Sequence, residues 1–203
     1  MAVSFSTPNT FLEAIQPKNS NAKIALGILT VLLGAALITI SAKITIPVWP
    51  VPVTLQTFAV AGISAFLGLR LSLLTVALYL VVGALGLPVF SMGGGISYLS
   101  GPTGGFLFGF LMMAGIIGYA SDRGAAGKLI ELFSVMVVAD IALCALGLVW
   151  LLSMSGSAGW IDQNNIVASA FAGAVQPFIL WDVLKMAVAA IGISVAWNLI
   201  ANR

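Results

Sequence analysis

Charged residues divide the chain into long apolar stretches. Residues 24–42 carry no charge, and neither do 44–69, 71–121, 141–161 or 186–202. A membrane-crossing helix needs about 20 apolar residues, so the stretch 71–121 is too long for one crossing and must fold back. The Gly- and Pro-rich segment 86–105 is where it can do so. The pattern predicts an all-α membrane protein with six transmembrane helices, over residues 24–44, 54–69, 71–87, 103–120, 131–152 and 177–200. The second and third are short and joined by a tight turn at 68–71. Pro177 suits the first turn of the last helix, where its missing N–H would be unpaired in any case. Before it, 166–175 is a short apolar stretch expected to form an interfacial or re-entrant helix, buried in protein or lining a cavity. Residues 1–23 are expected to be a cytoplasmic tail with a short interfacial helix over 10–16, and 24–203 the six-helix membrane domain. The tail lacks the basic-then-apolar order of a secretory signal.

Composition agrees. Hydrophobic residues make up 61% of the chain and charged residues 7%, against roughly 25% charged in soluble domains. Outside the spans, Lys18, Lys23, Arg70, Arg123, Lys128 and Arg203 fall on one side of the membrane and Lys43 on the other. The basic side is the cytoplasm, so both termini are expected there, as an even helix count also requires. A net charge of +2 without a clustered basic face gives no footprint for nucleic acid. With no histidine and a single cysteine, Cys144, the chain can form neither an internal disulfide nor a zinc cluster. Cys144 lies in an apolar run and reads as packing. The two three-helix halves share no motif that would mark an inverted repeat.

Candidate chemistry lies in two places. The connections 43–53, 86–102 and 153–176 are rich in Pro, Gly and aromatic residues and poor in charge. They read either as ordered caps over an apolar pocket or as interfacial loops with aromatic belts. The sharper signal is Asp182 and Lys185, at i and i+3 on one face of the last helix. At about 1.5 Å per residue they lie roughly 7 and 12 Å in from its outer end. A charge at such depth costs about 2.5–3.5 kcal/mol on the mildest scale, which points to a functional site; the alternative is an ion pair that locks the bundle. Asp140, mid-way along the fifth helix, is a third intramembrane ionisable group, either neutral or a partner of Lys185. Gly101, Gly105 and Gly109 form a small-residue stripe suited to close helix approach. No Lys-Ser or Lys-Thr follows Gly105, so the stretch is not a phosphate loop. Without histidine an enzyme is disfavoured, and without a ring of charged residues so is a channel.

Certain motifs are more specific. The segment 46–57 reads Ile-Pro-Val-Trp-Pro-Val-Pro-Val-Thr-Leu-Gln-Thr; Tyr79 is followed by Gly-Ala-Leu-Gly-Leu-Pro-Val-Phe over 83–90. Gly-Pro-Thr-Gly-Gly follows at 101–105 with Gly109-Phe110, and Pro177-Phe178 precedes Asp182 and Lys185. Over roughly residues 24–200 this resembles the BioY family, the biotin-binding S components of energy-coupling factor (ECF) transporters. The resemblance implies a six-helix S-component fold in a bacterial cytoplasmic membrane, with no cofactor and no enzymatic activity. It implies biotin capture from outside and association with a transmembrane coupling subunit and two ATPases. On the matched motifs, ligand contacts are expected from Asp182, Lys185, Gln56, Trp49, Thr103, Gly104 and Phe90, with Tyr98 from the second outer loop. Asp182 can accept from ureido N–H groups, and Lys185 can donate to the ureido oxygen or to the carboxylate; the two ends of the ligand are interchangeable at this stage. Pro47, Pro50 and Pro52 stiffen the loop 46–56, which is expected to cap the site, with Trp49 either a lid or an interfacial anchor. Three residues or groups depart from the family pattern: Phe106 where Tyr is usual, Trp181 where Gly is commoner, and Ala22, Ala25 and Gly27 without the four-residue spacing of a docking stripe. The reading from a different class is a membrane scaffold or assembly protein with a structural Asp–Lys pair.

Overall fold

The structure is a computed structural model that describes residues 10–11, 17, 19–157 and 161–201. Helix α1 (Ser20–Lys43) begins behind Asn19, whose side chain accepts the Asn21 N–H at 2.9 Å. That cap starts the helix four residues ahead of the predicted span and takes Lys23 into its first turn. Strands β1 (Thr45–Ile46) and β2 (Val53–Thr54) pair antiparallel, Thr45 opposite Thr54 and Ile46 opposite Val53. Next come α2 (Gln56–Ala84), the one-turn α3 (Ile96–Leu99) and α4 (Gly104–Asp122). A 3-10 turn at Ala125–Gly127 leads to α5 (Leu129–Ser153), and another follows at Ser155–Ser157. The chain ends in α6 (Ile166–Ala174) and α7 (Gln176–Ala201), with Pro177 in the first turn of α7. The short helix expected over 10–16 falls, beyond Phe11, outside the described residues.

Helix α2 is a hairpin of two arms. Gly68 interrupts it at φ 76°, ψ −177°. Gln56 Nε2 donates to Tyr79 Oη at 2.7 Å, whereas a straight helix would part those residues by about 35 Å. The chain therefore reverses at Gly68, and residues 56–67 and 69–84 are the two short crossings that the sequence pattern separates at 68–71. The sign of φ favours glycine, and α4 presses on the turn from the other side. A Cβ on Gly118 would lie 2.7 Å from Leu69 Cα. The reversal leaves the Leu69 N–H without a helical acceptor, and the Asp122 carboxylate takes it, both oxygens at 3.3 Å. With α2 doubled back, the five helices long and apolar enough to cross a membrane among the described residues make six crossings.

In lipid there is no hydrophobic drive between helices, so close packing holds them. A Cβ on Gly105 would meet Trp150 Cβ at 2.3 Å, and one on Gly109 would meet Leu143 Cγ at 3.1 Å. The glycine stripe of α4 thus lets α5 approach at backbone distance. Exposed Leu32, Ile40, Ile130, Ile141, Leu180 and Leu199 ring the bundle, the inverse of a soluble protein. At the Gly68 end, Phe11 is buried, stacked on Phe66 at 4.7 Å and edge-on to Trp197 at 5.0 Å.

Candidate functional site

The end of the bundle opposite the Gly68 turn carries the loops. Between β1 and β2 the loop holds Pro47, Pro50 and Pro52, with a cis Trp49–Pro50 bond. Pro restricts the backbone, and Pro50 is buried, its ring facing Gly173 of α6. Val51 and Val53 are buried. The tip points the other way, with Trp49 70% exposed. A second loop packs beside it through Phe90, which is fully buried. Its ring meets Tyr79 edge-on at 5.3 Å and stacks on Tyr98 at 5.2 Å, and its carbonyl accepts from Lys43 Nζ at 2.6 Å. Trp150 of α5 donates to the Gly101 carbonyl at 2.9 Å. The second loop is thus held by side chains from the helices.

They cover a narrow cleft between the loops and the helices. Its apolar walls are Val51 and Pro52 from the first loop, Phe106, Leu107 and Phe110 from α4, Leu143 from α5 and Phe178 from α7. Phe106 and Phe178 stack at 5.8 Å. The polar walls are Thr54, Gln56, Thr57, Ser91, Tyr98, Thr103 and Asp182.

The polar groups at Asp182 form a chain in which nearly every donor is used. Lys185 Nζ donates to the Thr54 carbonyl at 2.6 Å, to Asp182 Oδ1 at 2.7 Å and to Thr57 Oγ1 at 3.3 Å. An ammonium has three N–H bonds, so Lys185 has none left over. Thr57 Oγ1 donates in turn to Asp182 Oδ1 at 2.9 Å. Gln56 is likewise engaged, its amide on Tyr79 and its Oε1 on Thr54 Oγ1 at 3.1 Å. Among the described residues, two buried atoms on the walls have no partner: Asp182 Oδ2, on a residue 1% exposed, and Ser91 Oγ. A vacant lone pair at such burial is a strong demand for a donor. Asp140 does not partner Lys185 by a hydrogen bond. It stands nearby, with one buried oxygen unpaired.

Of the side chains singled out in the sequence, Asp182, Gln56, Tyr98 and Thr103 line the cleft. Lys185 stands behind Asp182 and Thr57. Phe90 lies outside the wall and holds Tyr98 in place, because its ring fills the space above Gly83. Gly104 is a packing position, where a Cβ would meet the Leu99 carbonyl oxygen at 1.9 Å. Trp49 does not reach the cleft wall. Thr57 and Ser91 also line the cleft and were not singled out in the sequence. Thr57 closes the motif over 46–57 and could have been taken from it; Ser91 carries no comparable signal.

A family model described as the BioY family matches residues 16–202. The chain belongs to the BioY family. Among its relatives, the biotin transporter BioY of Thermotoga maritima is 36% identical over 157 residues, 77% of this chain and 86% of that one. The probable biotin transporter BioY of Pyrococcus horikoshii is 36% identical over 162 residues, 79% and 90% of the two chains. In fold, the chain resembles the crystal structure at 2.1 Å of the S-component for biotin from an ECF-type ABC transporter, with a TM-score of 0.75, 21% identity, and 90% and 95% of the chains covered. The S-component fold expected from the motifs is the fold found.

Proposed function

We propose that this protein is the biotin-capturing S component of an ATP-driven ECF transporter. The observation that carries this reading, beside family membership, is the unpartnered Asp182 Oδ2 in a cleft walled by aromatic and aliphatic side chains. An ion pair serving only the fold would have both carboxylate oxygens satisfied. This one is held on one oxygen by Thr57 and Lys185, and the other is left to a ligand. That supports a binding role over a scaffold role.

The hydrogen-bond inventory also favours one orientation of the ligand. Asp182 Oδ2 is an acceptor, so it calls for a donor, and the donors on biotin are the two ureido N–H groups. Lys185 has no N–H to spare for a carboxylate. The ureido head therefore belongs at Asp182, with the ring sulfur and its neighbours against Phe106, Phe110 and Phe178. Ser91 Oγ can donate to an oxygen of the ligand. Lys185 acts through Asp182, by holding its carboxylate aimed.

The cleft end carries Lys43, while Lys23, Arg70, Arg123 and Lys128 lie at the Gly68 end. The positive-inside bias supports a cleft open to the outside and both termini in the cytoplasm of a bacterial cell membrane. Release inward then requires partners that use ATP, a coupling subunit and two ATPases. The test is titration of the purified protein in detergent with labelled biotin. Saturable one-to-one binding is expected, and its absence in a folded preparation would overturn the reading.

A further inference from the structure

Lys43 is the last residue of α1. A lysine there ordinarily turns back to the open carbonyls of its own helix end, where its charge also suits the helix dipole. Lys43 reaches elsewhere. Its Nζ crosses to a segment 47 residues away and donates to the Phe90 carbonyl at 2.6 Å. Residues 90–93 form a tight turn. The Phe90 N–H donates to the Gly93 carbonyl at 2.9 Å, but the return bond, from the Gly93 N–H to the Phe90 carbonyl, is long at 3.5 Å. The grip on the preceding residue, from Tyr79 Oη to the Val89 carbonyl, is also long at 3.4 Å. The charge-assisted bond from Lys43 is the short one, and it is the bond that fixes the Phe90 carbonyl.

That carbonyl belongs to the peptide unit joining Phe90 to Ser91. The unit is planar, so holding its oxygen also holds the nitrogen and Cα of Ser91. Ser91 is on the cleft wall, and its buried Oγ has no hydrogen-bond partner. Phe90 bears on the cleft a second time, because its ring stacks at 5.2 Å on Tyr98, another wall residue. The ring is fully buried on its own account. What the ammonium adds is the direction of the peptide unit.

We propose that Lys43 is a positioning residue for ligand retention: it fixes the Phe90–Ser91 peptide so that the Ser91 hydroxyl stands ready to donate to a ligand oxygen. A hydroxyl held in place before the ligand arrives loses little freedom on binding. On a loose turn the same hydroxyl would be ordered only by the ligand, and affinity would fall. This inference rests on the biotin reading above, which supplies the ligand oxygens.

The experiment measures equilibrium binding and dissociation of labelled biotin on the full-length protein in detergent, with the melting temperature of the ligand-free protein alongside. The variants are Lys43→Met, Lys43→Arg, Ser91→Ala, and Lys43→Met combined with Ser91→Ala. Ser91→Ala and Lys43→Met should each lose roughly tenfold in affinity, mainly through faster dissociation. Lys43→Arg, which keeps the charge and the donors, should recover to within about threefold of the parent. The double variant should be no weaker than the weaker single one, because both changes remove the same interaction. If Lys43 only braces the fold, Lys43→Met lowers the melting temperature and its loss of affinity multiplies with that of Ser91→Ala, to roughly a hundredfold. That result, or an unchanged affinity in Lys43→Met, would overturn the proposal. Should Lys43→Met not fold, Lys43→Gln takes its place in the same cycle and is read by the same outcomes. A folded parent that binds no biotin would instead defeat the functional reading, and this inference with it.

Discussion

Two aspartates, at opposite ends of the bundle, are held in contrasting ways. Asp122, beside the Gly68 turn, directs both oxygens at one backbone N–H, that of Leu69 at 3.3 Å. That N–H exists as an orphan because the chain reverses there, so the carboxylate repairs a defect of the backbone. Asp182, at the cleft end, is gripped on Oδ1 by a hydroxyl and an ammonium while Oδ2 is left without a donor. On the function proposed above, the carboxylate that serves architecture is satisfied by the fold, and the one that would serve a ligand is oriented by the fold and left incomplete. The unused oxygen of Asp182 is what sets it apart.

The contrast can be broken most sharply at Asp182. Removing both charges with Asp182→Leu and Lys185→Met should weaken biotin binding about a hundredfold, the value of a charge-assisted hydrogen bond at its upper end. Melting temperature should hardly move, since replacing a buried pair by apolar groups of similar volume is often neutral. A double variant that binds as tightly as the parent would return Asp182 to the structural class. Next, Thr57→Val keeps the volume but removes a donor to Asp182 and an acceptor for Lys185; affinity should fall about tenfold, and equilibrium binding of labelled biotin would read it. An unchanged affinity would mean that Lys185 alone orients the carboxylate. At the other end the pattern should invert. Asp122→Ala should cost about 1–2 kcal/mol as a lost cap, seen as a melting temperature lower by roughly 2–8 °C, with the biotin affinity of the folded protein unaltered. Weakened binding without loss of stability would show that the two ends are coupled. The smallest effect is expected at Trp49, 70% exposed on the loop tip. Trp49→Ala should change affinity by no more than about threefold, under 0.7 kcal/mol; a tenfold loss would mean that the tip folds down over bound ligand.

Much of this was legible in the chain itself, for identifiable reasons. The crossings could be delimited because Lys23, Lys43, Arg70, Asp122 and Lys128 are too costly to place within lipid and so mark the ends. The reversal at Gly68 was legible from a glycine beside an arginine between two short apolar runs. The motifs identified the family. What stayed hidden depends on contacts distant in sequence. The strands β1 and β2, two residues each, are too short to show an alternating pattern. Lys185 could have turned to either Asp140 or Asp182, and only the packing of α5 on α7 decides. Serines and threonines are common in membrane helices, and there most of them bond the preceding turn, as Ser64 does to the Val60 carbonyl at 2.6 Å. Nothing local marks Ser91 as different. Phe90 reads as a ligand aromatic by its motif, but its ring is spent on the joint between Tyr79 and Tyr98.

The hairpin form of α2 also bears on how the protein is made. Its arms, residues 56–67 and 69–84, are about 18 and 24 Å long at the α-helical rise, while the hydrocarbon layer is about 30 Å thick. Neither arm is a competent insertion signal by itself. On the positive-inside bias the arms enter the bilayer as one pair, with the Gln56 and Tyr79 end leading and Gly68 and Arg70 left on the basic side. The bond between Gln56 and Tyr79 lies at that leading end, so the pairing of the two arms also ties Gln56 of the cleft wall to the second arm.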